Sequence, residues 1–258
     1  MSAASPTSKA PSTVSLKIMT LNTHKGFTSF NRKFILHELR DAVRTVSADI
    51  VFLQEVLGAH GGHSARHGNW PAAPQYEFLA DSIWPGVAYG RNAVYEHGHH
   101  GNAVLSKFPI VRQENHDISI SGPERRGLLH CVLKIPQSGV EIHAICVHLG
   151  LLGSHRRHQL EILCRLLADV PPEAPLVIAG DFNDWQVHAN RILERCGVSE
   201  AFVGVHGRPP RTFPARWPLL PLDRVYCRNL KVERADVLRM RPWSHLSDHA
   251  ALTAEFAL

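Results

Sequence analysis

Short apolar runs in this chain stop repeatedly on an acid, an amide or an imidazole. Residues 16–22 (LKIMTLN) end on Asn22, 49–55 (DIVFLQE) on Glu55 and 140–148 on His148, while 176–179 run into GDFND with Asp181 and Asn183. Two further runs begin beside such groups: Asp223 stands at the head of 222–227, and Asp248 and His249 precede 250–256. Short apolar runs bounded by turn residues read as strands. A strand ending in such a group sets it at the rim of a sheet, where neighbouring strands converge on one pocket. Any single case also fits ordinary turn chemistry, because Asp and Asn accept backbone hydrogen bonds at strand ends. The repetition is what points to a site.

Around these runs the pattern is strand, helix, strand, with Phe34, Ile35, Leu39, Val43 and Val46 at helical spacing between 16–22 and 49–55. Residues 76–80, 87–95, 101–110, 128–135 and 140–148 follow as short β-type runs divided by Gly, Pro and Asn, a succession that favours antiparallel pairing. A helix capped by Ser154 carries the stripe Leu160, Leu163, Cys164 and Leu167 and is stopped by Pro171 and Pro172; another fits 187–196, stopped by Gly197. Without linker, repeat or composition break, the expectation is one α+β domain over 15–258, its strands packed as two sheets with helices outside. A Ser-, Pro- and Ala-rich disordered arm over 1–14 precedes it.

Composition excludes several classes. With 258 residues, 44% hydrophobic and 20% charged, the chain is neither disordered, collagenous nor a coiled coil. Lys and Arg number 28 against 23 Asp and Glu, a net +5 that biases it mildly toward anionic partners. Its 18 histidines invite a search for metal ligands and acid–base groups. Cys131, Cys146, Cys164, Cys196 and Cys227 are odd in number, widely spaced and free of any C-x-x-C pair, which predicts free, mostly buried thiols in a reducing compartment. No apolar leader region and no run of about 18 apolar residues is present, so a cytoplasmic protein without a transmembrane segment is expected, compatible with peripheral contact at the inner face of a membrane.

The blocks TLNTH (20–24), LQEV (53–56), GNAVLSKFPI (101–110), VHLGL (147–151), GDFND (180–184), LDRVY (222–226) and SDHA (247–250), in this order, resemble the motif set of the endonuclease/exonuclease/phosphatase superfamily. That superfamily includes pancreatic-type deoxyribonuclease, abasic-site endonucleases, neutral sphingomyelinases and inositol polyphosphate phosphatases. The resemblance covers 16–258 and implies a four-layer α/β sandwich, two mostly antiparallel sheets flanked by helices, with a divalent-metal phosphoesterase site. His24 stands where abasic-site endonucleases carry an acid, which argues against that branch. No further recognition module accompanies the block, so a compact bacterial-type enzyme is the better match than the large inositol phosphatases.

Phosphodiester hydrolysis needs an aimed water, charge neutralisation at the non-bridging oxygens and a proton for the leaving oxygen. The resemblance implies Glu55, Asn22 and Asp248 as ligands of Mg²⁺, with Mn²⁺ as the alternative ion. His249, oriented by Asp248 or Asp223, is the expected base; Asp181 and Asn183 position water and phosphate; His148 protonates or polarises the leaving oxygen. His24, Arg91, Asn102 and Arg126, with Asn92 and Arg125 beside them, are candidate substrate contacts. Bland readings stand next to these: salt bridges from Asp223 or Asp248 to Arg224 or Arg241, a satisfied core histidine at 148, solvated arginines. The groups His60, His63, His67 and His97, His99, His100 have the residue types for zinc but match no zinc spacing.

Two substrates compete. A nuclease presents cations to the DNA backbone, and Lys25, Arg32, Lys33 and Arg66 are available for that. A phospholipid phosphodiesterase presents apolar loops to a membrane, and 212–222 (TFPARWPLLPL) offers Phe213, Trp217, Leu219, Leu220 and Leu222, with Phe27 and Phe30 after TLNTHKG. The same loop also reads as plain cover for a sheet edge. The sequence favours a phospholipid or related headgroup over DNA. A third reading, a phosphate- or protein-binding module without turnover, is opposed by the completeness of the residue set.

Overall fold

The computed structural model describes residues 15–28, 32–62, 67–136 and 138–258. The expected arm at 1–14, and with it Phe30, His63 and Arg66, lies outside the described residues. Two six-stranded sheets pack face to face. The first contains β1 (Ser15–Asn22), β2 (Ile50–His60), β3 (Gly86–Tyr95), β4 (Gly98–Ser106), β11 (Lys231–Leu238) and β12 (Ala251–Ala257), in the order β11-β12-β1-β2-β4-β3. The second contains β5 (Ile110–Asp117), β6 (Gly127–Lys134), β7 (Glu141–His148), β8 (Leu176–Asp181), β9 (Ser199–Glu200) and β10 (Asp223–Arg228), in the order β5-β6-β7-β8-β10-β9.

Antiparallel neighbours dominate, as expected, but the middle of each sheet is a parallel pair, β1 with β2 and β7 with β8. These strands are apolar on both faces because both faces are covered. Leu16, Ile18, Phe52, Cys131, Ala144, Val177 and Leu252 fill the space between the sheets. Outside the first sheet lie α1 (Leu36–Val46) and α2 (Gln75–Ala80); outside the second lie α3 (Gly153–Ala168) and α4 (His188–Glu194). The stripe Leu36, Leu39 and Val43 of α1 buries against Trp84 and Leu105, and Leu160, Leu163 and Leu167 of α3 against Ile145, Ile178 and Phe182. A short α5 (Ala201–His206) inserts Phe202 between the sheets.

Two expectations are corrected. Residues 76–80 are helix, not strand: Leu79 and Ala80 bury on one side, and Gln75 at its start accepts from Leu57 N at 3.0 Å and donates to Lys25 O at 2.8 Å. A tertiary clamp decides a run too short for its period to do so. The cysteines are not all free: Cys164 of α3 and Cys196 beyond α4 form a disulfide, leaving Cys131, Cys146 and Cys227 as buried thiols. Helix packing brings Cα atoms 32 positions apart to within 5.7 Å, which spacing in sequence does not reveal. With that bond the cysteine argument for a reducing compartment loses its basis. No helix among the described residues is long and apolar enough to cross a membrane.

Candidate active site

Because the central strands are parallel in pairs, their C-terminal ends share one rim. In the second sheet His148 pairs with Asp181 across β7 and β8, and Asp181 pairs with Asp223 across β8 and β10, so three side chains stand in register on one face. Gly180 permits this closeness: a Cβ there would lie 2.0 Å from Val147 O. In the first sheet β1 delivers Asn22, and β2 carries a bulge against β4 where the pairing passes from Leu53 to Val56. Glu55 sits in that bulge at φ 55°, a conformation costly for a non-glycine residue. The bulge turns Glu55 out of the strand's alternation. His24, Lys25 and Asn183 also have positive φ, so backbone strain gathers at this rim.

The two halves join through buried polar contacts. Asn22 Nδ2 donates to Asp181 Oδ2 at 3.2 Å. His249 Nδ1 donates to Asp223 Oδ2 at 2.8 Å, with its Nε2 3.9 Å from Asp181 Oδ2, and His148 Nε2 lies 3.6 Å from the same oxygen. Asn183 donates its backbone N–H to Asp181 Oδ1 and its side-chain amide to Leu149 O, both at 2.9 Å. His24 Nδ1 is 3.3 Å from Asp248 Oδ2 and 4.0 Å from Glu55 Oε2, and Lys25 Nζ is 3.3 Å from Glu55 Oε2.

Of the residues singled out in the sequence, Asn22, His24, Glu55, His148, Asp181, Asn183, Asp223, Asp248 and His249 thus form one cluster. Arg126 lies at its edge, donating to Leu149 O and pairing with Glu124. Asn102 is fully buried; its nitrogen donates to Gly127 O and Cys146 O, tying β4 to the second sheet, and its oxygen has no partner. Arg91 stands exposed on β3, outside the contacts that join the cluster. The competing salt bridges are absent: the Arg224 guanidinium donates to the carbonyls of Pro221, Asp223 and Asp184.

Two participants, Thr23 and Ser247, carried no role in the sequence reading, and a third, His100, carried a different one. Thr23 Oγ1 donates to Gln54 O and Glu55 O, locking the end of β1 to the bulge. Ser247 Oγ donates to Asn22 O at 2.6 Å and accepts from His249 N, fixing the final motif to the first. His100, placed in sequence with a zinc group, instead adds to the field at Glu55. Thr23 and Ser247 stood inside the quoted motifs TLNTH and SDHA, the only signal available. Among the described residues the other histidines form no group of three ligands for zinc, and His99 Nδ1 is paired with Tyr89 Oη at 2.9 Å.

Charge is distributed unevenly. Burial opposes ionisation of Glu55, but the fields of His148, Lys25, His24 and His100 outweigh it and hold the carboxyl down at about 2. Burial, aided by the negative charge of Asp223, pushes Asp181 up to about 7. Burial lowers His249, yet Asp223, Asp181 and Asp248 raise it to about 10. His148 is held well below its ordinary range by burial and by Arg126. The carboxylates thus favour the protonated form of His249 and burial the neutral form of His148; a divalent cation seated among those carboxylates would weaken the first preference and leave Nε2 of His249 able to take a proton.

Asp181, Asp223 and His249 each offer a ligand atom within 4.8 Å of the others, the one such group of three among the described residues. Asp223 Oδ1 is buried without a hydrogen-bond partner, and Asp181 is pressed toward its neutral form by a neighbouring carboxylate. Together with ionised Glu55, these are hard oxygen donors whose charge the protein only partly meets, and they fit a hard divalent cation.

The sequence profile described as the Endonuclease/Exonuclease/phosphatase family matches residues 19–249. The Escherichia coli K12 protein YbhP is 55% identical over 245 residues, covering 95% of this chain and 97% of its own, and YbhP of Shigella flexneri matches to the same extent. Among solved structures, an endonuclease/exonuclease/phosphatase from Beutenbergia cavernae superposes with TM-score 0.75 at 20% identity, over 95% of this chain and 72% of that one. D. rerio TDP2 in complex with a single-strand DNA product gives 0.70 at 16% over 94% and 98%, and a Bacteroides thetaiotaomicron mannosyl-6-phosphatase 0.69 at 16% over 94% and 100%. The chain belongs to the endonuclease/exonuclease/phosphatase family, whose members are hydrolases of phosphoester bonds and typically use a divalent metal.

Proposed function

We propose that this chain is a divalent-metal-dependent phosphodiesterase acting by in-line attack of water. The observation that carries the reading is the meeting of nine polar side chains from both sheets at one rim, around a carboxylate oxygen, Asp223 Oδ1, buried without a partner. Glu55, Asn22 and Asp248, with Asp181 and Asp223 close by, are the residues to hold Mg²⁺ or Mn²⁺. When bound, such an ion neutralises carboxylate and phosphoryl oxygens.

His249 is the proposed base. Asp223 fixes its Nδ1–H, so Nε2 is the atom that accepts the proton of water, and the carboxylates that raise its pKa stabilise the imidazolium so formed. Asp181 and Asn183 position water and phosphate. His148, neutral in its buried setting, acts on the leaving oxygen by hydrogen-bond donation more than by delivery of a full proton. That refines the acid role read from the sequence.

The proposed substrate is a phospholipid or related headgroup. Loops leaving the site expose Leu151, Leu152 and Trp185 just after His148 and Asn183, an apolar border that a soluble polyanion does not call for. Nucleic acid is the second reading. A 580 Å³ cavity between α3 and α4, behind the 183–185 loop, is lined by Arg156, Arg157, Arg191 and Arg195, which suits a phosphate backbone.

The test is hydrolysis of bis(p-nitrophenyl) phosphate by purified protein with MgCl₂ or MnCl₂. His249→Ala and Glu55→Ala are expected to lower kcat several hundred-fold, within the roughly 10² to 10⁴ attributed to general-base catalysis; near-normal turnover in both overturns the reading. Release of headgroup from phosphatidylglycerol vesicles without nicking of plasmid DNA supports the lipid substrate, and the opposite result the nuclease.

A further inference from the structure

The segments that frame the last strands carry arginine and exposed apolar side chains with no carboxylate among them. Residues 201–222 contain Arg208, Arg211 and Arg216 and no Asp or Glu; residues 237–247 contain Arg239 and Arg241 and again no acid. Folding brings the two segments together, since Arg208, Arg211, Pro218 and Arg239 line one cavity, along with Asp236, whose carboxylate is paired with Arg234. Beside them Trp217 is 68% exposed, Leu219 64% and Met240 77%. Arg216 lies over the Trp217 ring at 5.1 Å, which leaves its charge at the surface.

This surface is fastened to the site. Ala215 N donates to Asp248 O at 2.7 Å, Ala250 N to Thr212 O at 2.8 Å, and Asp223 N to Thr212 Oγ1 at 3.2 Å. The Phe213 ring packs 5.1 Å from the His249 ring. Whatever rests on Trp217 and Leu219 therefore sits beside the mouth.

We infer that residues 208–220 and 239–241 form a docking surface for an anionic phospholipid bilayer, seating the mouth of the site at the headgroup layer. Charge complementarity selects anionic lipid: Arg208, Arg211, Arg216 and Arg239 outnumber Asp236, the carboxylate beside them, which Arg234 pairs, and each such cation contributes about 1 kcal/mol near the surface. The apolar side chains select a bilayer over nucleic acid, because Trp favours the interface and Leu219 and Met240 gain from acyl chains but have no base to stack on. This inference deepens the lipid reading of the site, while docking itself needs no turnover.

The experiment is sedimentation of the full chain with vesicles of equal phosphatidylglycerol and phosphatidylcholine, and with phosphatidylcholine alone. Wild type is expected to partition at least tenfold more strongly onto the anionic vesicles. Arg211→Glu/Arg239→Glu and, separately, Trp217→Ala/Met240→Ala are each expected to lower that partition about tenfold or more. Both leave turnover of bis(p-nitrophenyl) phosphate and the melting temperature unchanged. Partition that ignores both double variants, or that plasmid DNA abolishes while the protein binds phosphatidylcholine equally well, overturns the docking surface. Vesicle binding that depends on these residues in a protein inert toward every phosphodiester sinks the catalytic reading alone.

Discussion

His249 Nδ1 stands 2.8 Å from Asp223 Oδ2 although the two residues serve different sheets: Asp223 opens β10 of the second, and His249 precedes β12 of the first. Their bond is one of the links that close the site between the sheets, the other main one being Asn22 to Asp181. It also decides the charge of the imidazole, because burial alone would strip the proton that the carboxylates retain.

Asp223→Asn keeps the shape of that link and removes its charge. His249 should then titrate well below where it does in wild type, and kcat should fall by about 10² to 10⁴, since the imidazolium formed on proton transfer loses its main counterion. Titration of the His249 ring protons by NMR, alongside steady-state kinetics, checks both. An unchanged ring titration would refute the coupling whatever happens to the rate.

Glu55→Gln tests the metal assignment apart from turnover. The carboxyl is held near 2, so the wild type offers a full negative charge at every working pH, and glutamine fits the same bulge without it. Calorimetric titration with MgCl₂ and MnCl₂ is expected to show affinity lowered about tenfold or more, and the rise of melting temperature with added metal should shrink accordingly. Equal affinity in the variant would remove Glu55 from the ligand set.

The Cys164–Cys196 bond closes a loop between positions 32 apart and ties α3 to the segment after α4. A cross-link of that span stabilises by about 2 to 4 kcal/mol, largely through the unfolded chain. Cys164→Ser/Cys196→Ser, and wild type treated with dithiothreitol, should therefore melt several degrees lower and at the same temperature as each other. A melting temperature indifferent to reductant would mean the thiols are not joined in solution.

Much of the site was legible because its members end or begin strands, and a one-dimensional pattern records where an apolar run meets a polar group. The parallel pairs β1–β2 and β7–β8 are written not in the strands themselves but in the helix pattern between the two members of each pair, since pairing direction is set by the crossover. The edge strands β5 and β11 escaped notice. One side of each faces solvent, so IVRQENHD and KVERADVL mix charged and polar residues with short apolar ones and do not stand out as apolar runs. The protonation of His249 and His148 was equally hidden, since both are histidines at strand ends and only the tertiary count of carboxylates separates them. The Glu55 bulge and the Cys164–Cys196 pairing likewise depend on partners far away in sequence.

Glu200 lies outside the site and tests how burial is accommodated elsewhere. It caps α5, accepting from Val203 N at 2.5 Å, while its other oxygen is buried without a partner; burial pushes its carboxyl up to about 7 against the lowering effect of the Val203 hydrogen bond. A carboxyl raised from 4.5 to about 7 holds its proton more tightly folded than unfolded, so its contribution is fully present below pH 4.5 and is lost as pH rises through 7. The loss amounts to roughly 3 kcal/mol at about 1.4 kcal/mol per unit. Glu200→Gln keeps an acceptor for Val203 and cannot ionise. Its stability in urea should match wild type near pH 4.5 and exceed it by up to that amount at pH 8. Other groups, Asp181 among them, shape the wild-type profile too, but they are common to both proteins, and the difference between the two curves isolates Glu200. Curves that stay parallel from pH 4.5 to 8 would show that the carboxylate is ionised in the fold and that its buried oxygen finds a partner in water.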